Sequence, residues 1–156
     1  MSLAACAALV ERGDPDRFLA TMAAPPPARE VLFPLYAFNL EIARAPLVTR
    51  EPAIAAMRLA WWREALEEIG AGGPVRPHEV TVPLALALPP GRAGELAAGL
   101  DDLILARHLD IGRQPFADAA ALTDYLDRTA GTLLWTAAAA LGAGDEAAVR
   151  AVGRAQ

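Results

Sequence analysis

REVLFPLYAFNLEIARAPLV, Arg29 to Val48, is the stretch on which the fold turns. Apart from Pro34 and Pro46 it holds no strong helix breaker, so it reads as a helix from about Ala28, kinked near Pro34 and ending near Ala45. Pro25-Pro26-Pro27, just ahead, stops whatever helix precedes it. Upstream, Ser2 caps a short helix to about Arg12, and Asp14-Pro15 gives a second cap with proline at the first helical position.

Downstream, Thr49 and Pro52 open the clearest helix in the chain, with Ile54, Met57, Trp61, Trp62, Ala65, Leu66 and Ile69 at helical spacing on one broad face. Arg63 and Glu67 read as an i,i+4 pair on its other side. Gly70, Gly72, Gly73, Pro74 and Pro77 form a loop. Glu79 to Leu88 reads as a helix interrupted near Pro83, and Arg92 to His108 as an amphipathic helix that Gly112 to Pro115 breaks. Asp118 caps a long helix through Tyr125 and Trp135 to Leu141, and Asp145 caps Glu146 to Ala155. The expected fold is all-α, an orthogonal helix bundle, in one domain over residues 1–156. The last segment carries no helix-stop signal, so the chain reads as the front part of a longer one.

Composition agrees with a helical bundle. Hydrophobic residues are 54% of the 156 but aromatics only 6%, so the apolar content is mostly Ala and Leu, both strong helix formers. Lysine is absent. All 14 basic residues are arginines, scattered among 19 acids for a net charge of −5, which argues against nucleic acid as a partner. Cys6 stands alone, so no internal disulfide forms, and it reads as a small apolar residue of the first helix. The longest uncharged run, Thr129 to Gly144, is shorter than the ~20 residues a membrane span needs. A cytoplasmic protein, peripheral to the inner membrane at most, is expected.

Three blocks in order carry a resemblance: DRFLATMAAPPPAREVLFPLYAFN at Asp16 to Asn39, MRLAWWREALEEI at Met57 to Ile69, and LARHLDIGRQPFADAAALTDYLDRTAGTLL at Leu105 to Leu134. The first holds Tyr-Ala-Phe, and the third a Tyr-x-x-x-x-Ala-Gly pattern at Tyr125, Ala130 and Gly131. Together they resemble the front half of the squalene/phytoene synthase family, which has the isoprenoid synthase fold. That resemblance implies head-to-head joining of two prenyl diphosphates, with Mg²⁺ held by aspartates on the Tyr-Ala-Phe helix and on a later helix. At the positions of the first set this chain has Ala43, Arg44 and Leu47, none of which ligates a cation, and Leu40 stands where a diphosphate-contacting arginine is expected. The second set would fall beyond Gln156. The form YAFNLEIA is similar to one branch in particular, the assembly factors of respiratory complex I.

The resemblance therefore implies a catalytically degenerate module without a metal cofactor, holding a protein partner or a prenyl or lipid-like ligand. The alternative is a working Mg²⁺-dependent prenyl transferase of isoprenoid or carotenoid biosynthesis. Residual pocket candidates are Arg29, Tyr36, Asn39, Glu41, Arg58, Trp62 and Tyr125, with no catalytic residue assigned. Against these stand plainer readings: Glu41 as a solvated helix acid, Trp61 and Trp62 as core, Asp101-Asp102 as exposed acids, and Asp124 paired with Arg128 rather than sharing a metal with Asp127. His78 and His108 have no partner at zinc spacing. An open half-bundle face predicts self-association.

Overall fold

The computed structural model describes residues 2–155; Met1 and Gln156, the ends of the expected domain, lie outside the described residues. Among the described residues all regular structure is helical, as expected: α1 (Leu3–Gly13), α2 (Pro15–Ala23), α3 (Pro26–Arg44), α4 (Pro52–Ala71), α5 (Thr81–Ala87), α6 (Ala93–Gly112), α7 (Ala119–Leu126), a π-helical turn (Asp127–Gly131), α8 (Thr132–Ala140) and α9 (Glu146–Ala155).

The caps act where the sequence places them. Ser2 Oγ accepts from the Ala5 amide at 3.3 Å, Asp14 from Arg17 at 3.0 Å, Asp118 from Ala121 at 2.8 Å and Asp145 from Ala148 at 3.0 Å. Two details differ from expectation, at Pro26–Pro27 and at Pro83, while Pro34 falls within a continuous helix. Pro26 and Pro27 begin α3 instead of merely ending α2, because a proline in the first turn gives up only a donor that has no helical partner anyway. Pro34 lies inside α3, which continues unbroken across it; the carbonyl it leaves without a helical donor is that of Glu30, an exposed residue. Pro83 does not interrupt α5, since the helix starts at Thr81 and places Pro83 in its first turn.

Helix α3 is the axis of the core. Phe33, Leu35, Ala37, Phe38 and Ile42 are buried on it, and α1, α2, α5 and α8 all pack against it. The most extensive helix pair is α4 with α6. There the expected apolar face is rotated: Ala55, Leu59, Trp62, Ala65, Leu66 and Ile69 are buried, whereas Ile54 and Met57 are 46% and 71% exposed. The helix is apolar on more than one side, so periodicity alone does not choose the inward stripe. The expected Arg63–Glu67 pair gives way to a bidentate bond from Arg63 to Asp101 of α6, at 2.6 and 3.0 Å. Asp102, read as a solvated acid, receives Arg128 at 2.8 Å.

The Tyr-x-x-x-x-Ala-Gly pattern coincides with the π turn between α7 and α8. A π turn inside a helix widens the backbone locally and often marks a position of use. Helix α9 lies against it through Gly153, where an added Cβ would come within 2.8 Å of the Ala130 carbonyl oxygen and of Gly131 Cα. Asp127 accepts from Arg154 at 2.5 Å and from Arg150 at 3.3 Å. Asp124 instead faces Arg128 at 3.8 Å, so the two acids do not converge on a shared ion.

Candidate functional site

An open groove of about 890 Å³ lies between the end of α3, the end of α6, the 113–117 loop and α7. Ala43 and Leu47, two of the three positions that the resemblance assigns to metal ligands, line it. Helix α6 runs four residues beyond the expected end at His108, and Arg113 closes it in the left-handed region at φ 49°. That extension adds Leu109 and Asp110 to a groove wall that Arg107 already lines, and the loop after it brings Phe116 against the Tyr125 ring, with centroids 5.1 Å apart.

One polar cluster stands in this apolar setting. Tyr125 Oη donates to Asp110 Oδ1 at 2.8 Å and accepts from Arg107 Nη1 at 2.8 Å, while Arg107 and Asp110 are paired at 3.3 Å. Burial pushes the Tyr125 hydroxyl above the usual phenol range; Arg107 opposes this and the bond to Asp110 adds to it. The phenol is thus a neutral donor, unsuited to act as a base near neutral pH. Arg107 Nε is buried without a hydrogen-bond acceptor among the described residues, so the guanidinium keeps unspent donor capacity.

A smaller cleft of about 190 Å³ is lined by Glu41, Ala45, Arg58, Trp61, Trp62 and His78. The indole of Trp62 meets Phe38, Trp61 and His78 edge-on at 5.5, 5.0 and 5.1 Å, which makes it part of the packed interior as well as a wall. Arg76 sits 5.1 Å from the Trp61 ring and clamps the loop by bonding Glu68 at 2.7 Å.

The seven sequence candidates are thus divided among separate places. Tyr125 is in the groove; Glu41, Arg58 and Trp62 share the cleft. Arg29 Nε donates to the Ala24 carbonyl at 2.8 Å and ties the α2–α3 turn. Tyr36 lies beneath the Arg17 guanidinium at 5.6 Å, and Asn39 is buried on α3. Four further residues of the groove, Arg107, Asp110, Arg113 and Phe116, lie outside those seven candidates. The only sequence signal for them was Arg107 and Asp110 at i,i+3 ahead of a glycine, in the same block as Tyr125.

The side chains at the three positions assigned to metal ligands, Ala43, Arg44 and Leu47, do not fit the Mg²⁺ that diphosphate chemistry requires. A methyl group, a guanidinium and an isobutyl group offer no oxygen. The two carboxylates that do line the groove, Asp110 and Asp124, each face an arginine. Among the described residues no three His, Cys, Asp or Glu side chains gather as a metal site.

The all-helical architecture and the groove at the end of α3 are accompanied by a match to squalene/phytoene synthase over residues 10–156, and the chain belongs to that family. Among curated proteins it is similar to the NADH dehydrogenase (ubiquinone) complex I assembly factor 6 of Homo sapiens, 26% identical over 155 residues, which are 97% of this chain and 45% of that protein. The Bos taurus protein of the same name is 26% identical with the same coverage. The Drosophila melanogaster homologue is 38% identical over 64 residues, 40% of this chain and 19% of that protein. The chain thus spans somewhat under half the length of the mammalian relatives it matches. No solved structure matches it significantly.

Proposed function

We propose that this chain is a binding module of the respiratory complex I assembly type, which uses the synthase scaffold without its metal chemistry. The observation that carries the reading is the groove wall itself, where Ala43 and Leu47 stand at positions that need acids for ionising a diphosphate. The names of the relatives point the same way. In this reading the apolar groove, with Arg107 and Tyr125 at its polar end, holds a lipid-like or prenyl molecule or an apolar segment of a protein partner. A second copy of the chain is one such partner. The site residues proposed are Tyr125 in the groove and Glu41, Arg58 and Trp62 in the cleft; no metal cofactor takes part. Among the described residues no helix is long and apolar enough to cross a membrane, and the proposed location is the cytoplasmic side, peripheral to the inner membrane.

Family membership supports the other reading, a prenyl transferase whose metal ligands come from outside this chain. Incubation of the purified protein with farnesyl or geranylgeranyl diphosphate and Mg²⁺ separates the two. No diphosphate release is expected, and sustained release overturns the proposal. Deletion of the gene is expected to lower the amount of assembled NADH:quinone oxidoreductase; unchanged assembly counts equally against it.

A further inference from the structure

The arginines of this protein are sorted. Eight of the 14 hold an acid in an ion pair: Arg17, Arg63, Arg76, Arg92, Arg107, Arg128, Arg150 and Arg154. Of the six without an ion pair among the described residues, four border one corner, the turn from α3 to α4. Arg44 is on the last turn of α3, Arg50 is in the connection, and Arg58 is on the second turn of α4. Arg113 reaches the corner from the end of α6, since it lines the groove beside Leu47 and a second hollow beside Pro46 and Arg50. All four are exposed.

The same corner holds large apolar side chains in water. Leu47 is 69% exposed, Val48 49%, Ile54 46% and Met57 71%. Ile54, Met57 and Arg58 lie at i, i+3 and i+4 on one side of α4, turned away from the stripe packed on α6. Only Glu41 and Glu51 line the corner's hollows without an arginine partner of their own, so the four guanidiniums leave it positive on a chain that is acidic overall.

We infer that the α3–α4 corner docks on an anionic phospholipid surface, with Leu47, Val48, Ile54 and Met57 entering the headgroup boundary and Arg44, Arg50, Arg58 and Arg113 contacting lipid phosphates. The inference rests on the membrane-peripheral part of the proposed function and deepens it; Leu47 and Arg113 also line the groove, whereas Arg44, Arg50 and Met57 do not. Protruding apolar chains ringed by unpaired cations suit an interface whose inner side is hydrocarbon and whose surface is negative. Arginine suits phosphate because its planar donors bind two oxygens at once. A protein partner would need a receiving hollow for these side chains; a bilayer deforms around them.

Vesicle co-sedimentation of the full chain tests this. Vesicles of phosphatidylcholine mixed with phosphatidylglycerol should retain the protein, phosphatidylcholine alone should retain it at least about tenfold less, and added salt should release it. Loss of each arginine in R44Q, R50Q and R58Q should weaken binding roughly fivefold, and the triple variant about a hundredfold. Leu47→Asp with Met57→Asp should abolish retention. Leu19→Asp and Leu86→Asp are the controls, at residues 65% and 83% exposed elsewhere on the surface, and should bind as the parent does. Circular dichroism confirms folding, and the arginine variants decide the matter if the double aspartate variant is unfolded. Absence of binding to anionic vesicles, equal binding to neutral ones, or equal loss in the controls overturns the inference. So does a dimer that the double variant dissolves without any lipid binding, which would give the corner to a second copy. A negative vesicle result leaves the diphosphate assay unaffected, so the two readings fail separately.

Discussion

The seat of α9 and the α3–α4 corner use the same residue types to opposite ends. At the seat, two arginines converge on Asp127, Arg150 also reaches Thr132 Oγ1 at 3.1 Å, and Gly153 removes the one side chain that would hold the helices apart. At the corner, four arginines make no ion pair among the described residues and four large apolar groups are exposed. The contrast shows where the sequence spends its charge on folding and where it leaves charge over. Ion pairs at exposed sites contribute little each, so their placement identifies function better than it explains stability.

The strongest way to break the comparison is to spoil the seat. Gly153→Leu forces a side chain onto the Ala130 carbonyl and the Gly131 backbone, which have no flexible end to move aside. A loss of about 3 kcal/mol is expected, with α9 becoming the first segment cut by protease. A melting temperature within error of the parent would mean that α9 does not rest on the π turn.

A slightly smaller effect belongs to the interior beside that scaffold. Cys6 is fully buried, its Sγ 3.6 Å from the Glu79 carbonyl oxygen, and burial, helped by the Glu79 charge, pushes its thiol from 9.0 up to about 11. The folded pKa is raised, so the contribution is whole below pH 9 and is lost as pH climbs to about 11, because only the unfolded thiol ionises in between. About 2–3 kcal/mol should disappear across that window. Cys6→Ala should flatten the difference in melting temperature between pH 9 and pH 10.5, and an unchanged slope would show the thiol to be accessible.

Asp127→Asn keeps the shape of the seat and removes the charge between Arg150 and Arg154. All three side chains are partly exposed, so about 1 kcal/mol is expected, with a smaller effect at high salt. A loss as large as that of Gly153→Leu would make the ion triad, rather than the close approach, the cause of docking.

Much of this architecture was legible in the residues because caps and breakers are local chemistry. Ser2, Asp14, Asp118 and Asp145 announced their helices, and Gly142 to Gly144 its loop. The inward side of α4 was not legible, since it is apolar on more than one side and the choice falls to packing on α6 and to Trp62 meeting Phe38 of α3. The partners of Arg63 and Arg128 were hidden for a related reason. Asp101 and Asp102 lie 38 and 26 residues away from them, and local spacing offered Glu67 and Asp124 instead. At the groove, the missing acids at Ala43, Arg44 and Leu47 could be counted off from Tyr36, but the Arg107–Tyr125–Asp110 cluster needed the extra turn of α6.

The smallest stability effect carries the sharpest test of the contrast. If the corner is truly surplus to folding, Met57→Ser should change stability by no more than about 0.5 kcal/mol, since 71% of the residue already faces water. Leu59→Ser, two positions further on and fully buried on the same helix, should cost several times as much by burying a hydroxyl and opening a void. A cost at Met57 approaching that at Leu59 would mean that the corner is covered in the isolated protein. The covering surface would then be protein, and its concentration dependence in a melting series would reveal a second copy, because only an associating species gains stability by mass action.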